Sequence, residues 1–216
     1  MEPQFSPFRD RNDAGQRLAL HLAHYADRPD AVVLGLARGG LPVAQAIAQA
    51  LHLPLDVLLV RKLGVPGHEE LAFGAIAAGV RVLNEDVVAR LNLPERVIEE
   101  TTQRELAELA RREALYRGER GPAEVEGRTV ILVDDGLATG ASMRVALIAL
   151  RQHRPARIVA AVPVAAEGSL DAIAAVADEF VCPLIVPLLF GISVFYGDFS
   201  QVSDAEVRTI LADAKK

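Results

Sequence analysis

The chain has a single cysteine among its 216 residues, Cys182, so it can close no internal disulfide. Its apolar runs stop at roughly ten residues, about half of what a bilayer-spanning helix needs. Residues 1–10 show no basic stretch followed by an apolar one, so a secretory leader is not expected. These shortages make a cytoplasmic protein with no membrane partner the expectation. Basic charge is scarce too: 23 Lys and Arg stand against 29 Asp and Glu, a net charge of −6. Nucleic-acid binders draw most of their affinity from a basic face, so nucleic acid is not an expected partner. An anionic ligand would have to be held by a few local cations and backbone N–H groups. GxxxxGK[S/T] and GxGxxG are both missing, as is any Ser-His-Asp or Cys-His set for covalent catalysis.

What is present is an alternation. Apolar runs at 31–36, 55–60, 129–133, 157–164 and 180–186 read as buried strands. Helical spacing or charge pairing fills 12–26, 41–51, 94–116, 142–153 and 170–177, with a last short helix opened by Ser203 or Asp204. Asn12 or Asp13 is the expected cap of the first helix, and Pro94 the first turn of the long charged one. The pattern specifies an α/β fold, a parallel sheet flanked by helices, and no repeat or shift in composition divides residues 1–216 into more than one domain. Residues 61–79 are rich in glycine and charge, with Pro66-Gly67 as a turn, and read as a flexible loop with a hairpin near 81–83.

The most informative stretch is VILVDDGLATGAS at 130–142. A strand ends in Asp134-Asp135, a glycine-rich turn follows, and a helix begins. Helix N-termini offer free N–H groups to an anion, and Gly136 and Gly140 allow close approach of the backbone. Thr139 and Ser142 add hydroxyl donors. Two adjacent carboxylates would repel phosphate, so they suit vicinal hydroxyls or Mg²⁺ instead. A phosphate beside a vicinal diol is a ribose 5-phosphate.

On Asp134, Asp135, Thr139, Gly140 and Ser142 the sequence resembles the type I phosphoribosyltransferases. That resemblance implies a Mg²⁺-dependent transfer of ribose 5-phosphate from phosphoribosyl pyrophosphate to a nucleobase-like acceptor, in nucleotide synthesis or salvage. It implies that Asp134 and Asp135 serve the ribose hydroxyls and the metal. Gly136, Leu137, Ala138, Thr139, Gly140, Ala141 and Ser142 complete the substrate contact, with 138–142 around the 5-phosphate. Arg38, Gly39 and Gly40, after the first strand, correspond to the family's pyrophosphate loop, and Arg61 and Lys62 to the basic end of its flexible loop, which includes Glu69 and Glu70. Arg38 and Lys62 join the acidic pair as expected catalytic groups. The C-terminal segment 190–199 resembles the family's small aromatic hood. Phe195 or Tyr196 would then stack on the base and Asp198 would approach the metal; the alternative is that these aromatics pack a terminal segment onto the core. Phe8 to Arg11 with Asp13 to Gly15 could cover the site, but a helix N-terminus accounts for them; His21 and His24 read as surface residues, and Cys182 as buried and inert. Family members are often dimers, so a homodimer is an expectation. A regulatory module that only binds phosphoribosyl pyrophosphate is the competing reading; synthesis of that compound needs a duplicated domain that this length hardly holds.

Overall fold

The computed structural model describes residues 8–118 and 120–214, with the side chains of Glu69 and Glu70 lying outside the description. Helix α1 (Arg11–His21) is capped by Asp10, whose carboxylate accepts from the Asp13 N–H at 2.8 Å; the cap is therefore Asp10 rather than Asn12 or Asp13. Strand β1 (Ala31–Leu36) leads into α2 (Gly40–Leu51), and β2 (Leu55–Leu58) follows. Next come β3 (Val60–Val65), β4 (His68–Ala77) and β5 (Val80–Leu83), then the short α3 (Glu85–Arg90) and the long α4 (Glu95–Arg117). The second half runs β6 (Thr129–Val133), α5 (Ala141–Gln152), β7 (Arg157–Ala161), β8 (Val164–Ala166), α6 (Leu170–Ala174), β9 (Glu179–Val181), β10 (Leu184–Val186) and α7 (Asp204–Asp213). No helix among the described residues is long and apolar enough to cross a membrane.

The central sheet has the order β2-β1-β6-β7-β9 and is parallel throughout. Alternate residues of β1 and β6 feed two separate cores. Val33, Ile131 and Val133 pack with α1, α2 and α4, while Val32, Leu34, Val130 and Leu132 pack with Met143, Leu147 and Leu150 of α5. Burial of both faces explains why these strands are unbroken apolar runs. Two of the expected strands are cut short. The 157–164 run divides into β7 and β8, and the 180–186 run into β9 and β10, with β8 and β10 pairing as a separate two-stranded sheet.

The glycine-rich segment, expected as a flexible loop with a hairpin near 81–83, is a three-stranded antiparallel sheet, β3-β4-β5, turned at Pro66-Gly67; the hairpin is β4-β5, and the rest is strand rather than loop. Its glycines disguise a strand: a Cβ on Gly74 would lie 2.6 Å from the Val82 carbonyl, so close strand approach requires glycine there. Leu63, Phe73 and Ile76 anchor this sheet in the α4-side core.

Strand β3 separates two adjacent cations, because neighbouring side chains point to opposite faces. Arg61 is ion-paired with Glu105 of α4 through both Nε (2.9 Å) and Nη2. Glu105 is buried, so this pair ties the small sheet to the long helix. Arg61→Ala leaves the Glu105 carboxylate with only Arg104, whose Nε donates to Oε1 at 3.2 Å, and strips Oε2 of its ion pair, so it is expected to cost about 1.5–3 kcal/mol. Lys62→Ala, on the exposed face, should leave the urea midpoint nearly unchanged. Equal midpoints for the two variants in urea denaturation would contradict this assignment.

Candidate active site

Strands β1 and β6 are neighbours in register, Gly35 opposite Val133, so the loops that leave their carboxyl ends emerge side by side. Residues 37–39 form one loop, entered through a cis Ala37–Arg38 peptide bond and closed by the first residue of α2, Gly40, and 134–140 form the other. The two loops touch because Gly39 and Gly40 have no side chains. A Cβ at Gly39 would sit 2.1 Å from Asp135 Oδ2, and one at Gly40 2.6 Å from the Val133 carbonyl and 2.8 Å from Asp134 Cα.

At this junction Asp134 Oδ1 accepts from the Asp135 N–H at 2.9 Å. Asp135 Oδ2 accepts from Arg11 Nε at 2.9 Å, and the Asp135 carbonyl accepts from the Tyr196 hydroxyl at 2.6 Å. Burial pushes the Asp134 carboxyl well above the usual carboxylate range, and the adjacent Asp135 charge adds to it. Burial raises Asp135 as well, opposed by the Arg11 guanidinium. The corner thus holds more negative charge than one cation balances, and it favours a proton, a hydroxyl donor or a hard cation.

Beyond the acidic pair the chain turns into α5 through Gly140, whose φ of +73° lies in the left-handed region. The first helical bond runs from Arg144 N to the Gly140 carbonyl (2.8 Å), so the first-turn N–H groups are directed beyond the helix end. Thr139 Oγ1 accepts from the Ala141 N–H at 3.4 Å. Asp134, residues 136–143 and Ile192 line a cavity of about 160 Å³ here. Small, rich in amide donors and at the positive end of a helix dipole, it has the character of a phosphate site. On the other side of Asp135 lies a cavity of about 360 Å³ bounded by Arg11, Arg38, Gly39, Phe199, Gln201 and Val202.

A family model described as the phosphoribosyl transferase domain matches residues 10–187. The chain belongs to the phosphoribosyl transferase family. A Mycobacterium tuberculosis protein described as a phosphoribosyl transferase is 44% identical over 97% of this chain and 47% of its own length. The chain therefore spans about half the length of the curated relatives it matches. Among solved structures, TT1426 from Thermus thermophilus superposes with a TM-score of 0.83 at 40% identity, covering 96% of this chain and 99% of that one. AQ2163 from Aquifex aeolicus, at 14% identity over 83% of this chain and 76% of its own, has a TM-score of 0.51 and shares the fold.

In this member of the family the structure brings together Arg38, Gly39, Gly40, Asp134, Asp135 and the 136–142 turn. Arg38 also reaches Asp204, at the start of α7, with Nη1 3.6 Å from Oδ1. Lys62 lines a separate cleft of about 190 Å³ with Ala141, Ser142 and Arg144. Arg61, expected beside it as a substrate contact, turns to Glu105 instead.

Two expectations for the C-terminal hood are corrected. Tyr196 is buried, its ring packed against Phe8 (centroids 5.4 Å apart) and Phe199 (4.9 Å), so it is not displayed to a base. Residues Ile192–Phe195 form a 3₁₀ turn rather than a strand, and Phe195 is half-buried in the same cluster. Asp198 accepts from the Ser200 N–H at 2.9 Å, and among the described residues no three His, Cys, Asp or Glu side chains gather into a metal-holding group. Asp198 therefore does not join the acidic pair. Two carboxylates do fit Mg²⁺, which commonly takes one or two protein carboxylates and completes its shell with water and substrate phosphate oxygens.

Three residues left out of the sequence-based site lie in it. Arg11 and Phe199 line the larger cavity, and Ile192 covers Gly136, whose Cβ position is 2.7 Å from Ile192 Cγ2. The segment of Arg11 could be read as a cover for the site, but a helix start explained it as well, because its meeting with Asp135 spans 124 residues.

Proposed function

We propose that this chain transfers the phosphoribosyl group of phosphoribosyl pyrophosphate to a ring nitrogen of a planar base, releasing pyrophosphate. The observation that carries this reading is the acidic pair set directly between an amide-lined cradle and a cavity that holds Arg38. In that arrangement the α5 N-terminus takes the 5-phosphate, Asp134 and Asp135 accept from the ribose hydroxyls, and Arg38 with the Gly39 amide faces the pyrophosphate. Asp134 and Asp135 are the residues that would hold Mg²⁺, which supplies charge neutralisation for the departing pyrophosphate. The base nitrogen lone pair forms the new bond to C1 as the C1–O bond breaks; pyrophosphate leaves with that electron pair, and the nitrogen proton passes to solvent. No protein nucleophile is required. Catalysis is then positioning and fixed charge.

The test is calorimetric titration with phosphoribosyl pyrophosphate and Mg²⁺, followed by a screen of purine and pyrimidine bases for pyrophosphate release. Release with one base supports the reading. Tight binding with no release for any base would favour a regulatory module, and no binding would refute both.

Arg38→Ala is expected to weaken phosphoribosyl pyrophosphate by roughly 10–100-fold through loss of a charge-assisted contact. Ribose 5-phosphate, which lacks the pyrophosphate, should bind Arg38→Ala as it binds the wild type. Lys62→Ala should show the same split if its strand swings toward the bound pyrophosphate. Parallel losses for both ligands would assign these residues to structure.

A further inference from the structure

Arg11 stands outside every motif in the chain, yet its guanidinium is one of the best-fixed groups in the site. Nε donates to Asp135 Oδ2 at 2.9 Å and Nη1 to the Ser200 carbonyl at 2.8 Å. The guanidinium carbon lies 3.8 Å from the centroid of the Phe199 ring, and the side chain is 11% exposed. A planar cation stacked on an aromatic face and bonded at two further points has little freedom. The backbone on either side is held as well. The Phe8 N–H donates to the Phe195 carbonyl at 2.8 Å, and the Gly197 N–H donates back to the Phe8 carbonyl at 2.7 Å. The Asp198 N–H donates to the Arg9 carbonyl at 2.8 Å.

We propose that Arg11 is a positioning residue that sets the orientation of the Asp135 carboxylate for the ribose, an inference that rests on reading the acidic pair as the ribose site. The oxygen that Arg11 grips, Oδ2, is the one lodged against Gly39; Oδ1 stands farther from that loop, 3.4 Å from the Gly39 Cβ position against 2.1 Å for Oδ2. One oxygen is thus committed to the protein, and the other is held ready for a hydroxyl. The role acts through Asp135, so Arg11 affects whatever carries the ribose and not the pyrophosphate as such.

The full-length chain would be titrated calorimetrically with phosphoribosyl pyrophosphate, ribose 5-phosphate and pyrophosphate, each with Mg²⁺. In Arg11→Ala the first two should weaken by a similar factor, about 10–100-fold, while pyrophosphate is unchanged. Millimolar methylguanidinium, which can refill the vacated space, should recover part of the loss. Arg11→Lys, which keeps the charge but not the planar fork, should fall between the wild type and Arg11→Ala, and it serves if the alanine variant fails to fold. Unchanged ribose 5-phosphate affinity overturns the proposal, as does wild-type behaviour of Arg11→Lys or the absence of any methylguanidinium rescue. Weakened pyrophosphate with intact ribose 5-phosphate would make Arg11 a direct pyrophosphate contact instead. A wild-type chain that binds neither ribose ligand refutes the ribose site itself, a result distinguishable from failure of the Arg11 variants alone.

Discussion

Asp134→Asn should weaken phosphoribosyl pyrophosphate by about 10–100-fold and raise the melting temperature at pH 7 in the same protein. The loss follows from exchanging a carboxylate acceptor for an amide at the proposed ribose and metal position. Each charge-assisted hydroxyl bond is worth about 1.5–3 kcal/mol, and with Asp135→Asn added the drop should be on the order of a hundred- to a ten-thousandfold. The gain in stability follows from burial. The folded state raises the Asp134 carboxyl well above its ordinary value, whereas the unfolded carboxyl ionises at about 3.9. Between those two values the folded state binds the extra proton, so stability falls as pH rises. At pH 7 the folded state therefore carries a penalty, either as desolvated charge or as proton uptake, that asparagine does not carry. The amide oxygen can still accept from the Asp135 N–H. In a chain of this size each kcal/mol recovered is worth about 2–4 °C. Below about pH 4 both proteins carry a neutral group, and the difference should vanish. Scanning calorimetry at pH 7 and pH 3.5 checks the sign. A lower melting temperature for Asp134→Asn at pH 7 would mean that the pair is structural. Asp135→Asn should not share the gain, because it deprives Arg11 of its partner.

The second large effect is expected at Gly40, where the obstacle to a side chain is backbone. A methyl there would lie 2.6 Å from the Val133 carbonyl and 2.8 Å from Asp134 Cα, and neither atom can rotate away. Overpacking of this kind costs about 1–3 kcal/mol, so Gly40→Ala should lower the melting temperature by roughly 2–12 °C. Gly39→Ala meets the end of a side chain, Asp135 Oδ2 at 2.1 Å, which can swing aside only by leaving Arg11. Its stability should change less, but its ligand affinity should fall steeply. Two neighbouring glycines would then separate, one limiting the fold and the other the site. Equal melting temperatures for Gly40→Ala and the wild type would show that the two loops yield more than their contacts suggest.

Much of this was legible in the sequence, for identifiable reasons. Strands β1 and β6 appear at their expected bounds because burial on both faces leaves an uninterrupted apolar run. The acidic loop was readable because its chemistry lies in consecutive residues. What was hidden depended on partners far away in sequence. Arg61 and Lys62 look alike as letters, and only the presence of Glu105 on one side of β3 makes the first an anchor. The β3-β4-β5 sheet read mostly as a loop because Gly64, Gly67, Gly74 and Gly79 outweigh its strand formers locally, while cross-strand pairing rescues them. Tyr196 looked available to a base because nothing in its neighbourhood announces Phe8.

The clasp between the Phe8 and Phe195–Gly197 backbones has a consequence for synthesis. The acidic loop, the α5 cradle and the Arg38 loop all lie before residue 153, so they leave the ribosome ahead of residues 195–200. Arg11 has no seat until Phe199 and Ser200 have left the exit tunnel, because its contact to Ser200 closes across 189 residues. Closing so long a loop costs entropy that only the finished cluster of Phe8, Tyr196 and Phe199 repays. A nascent chain from which residues 196–200 have not yet emerged should thus carry an unoriented Asp135, so the proposed ribose site would be completed only after that segment leaves the tunnel.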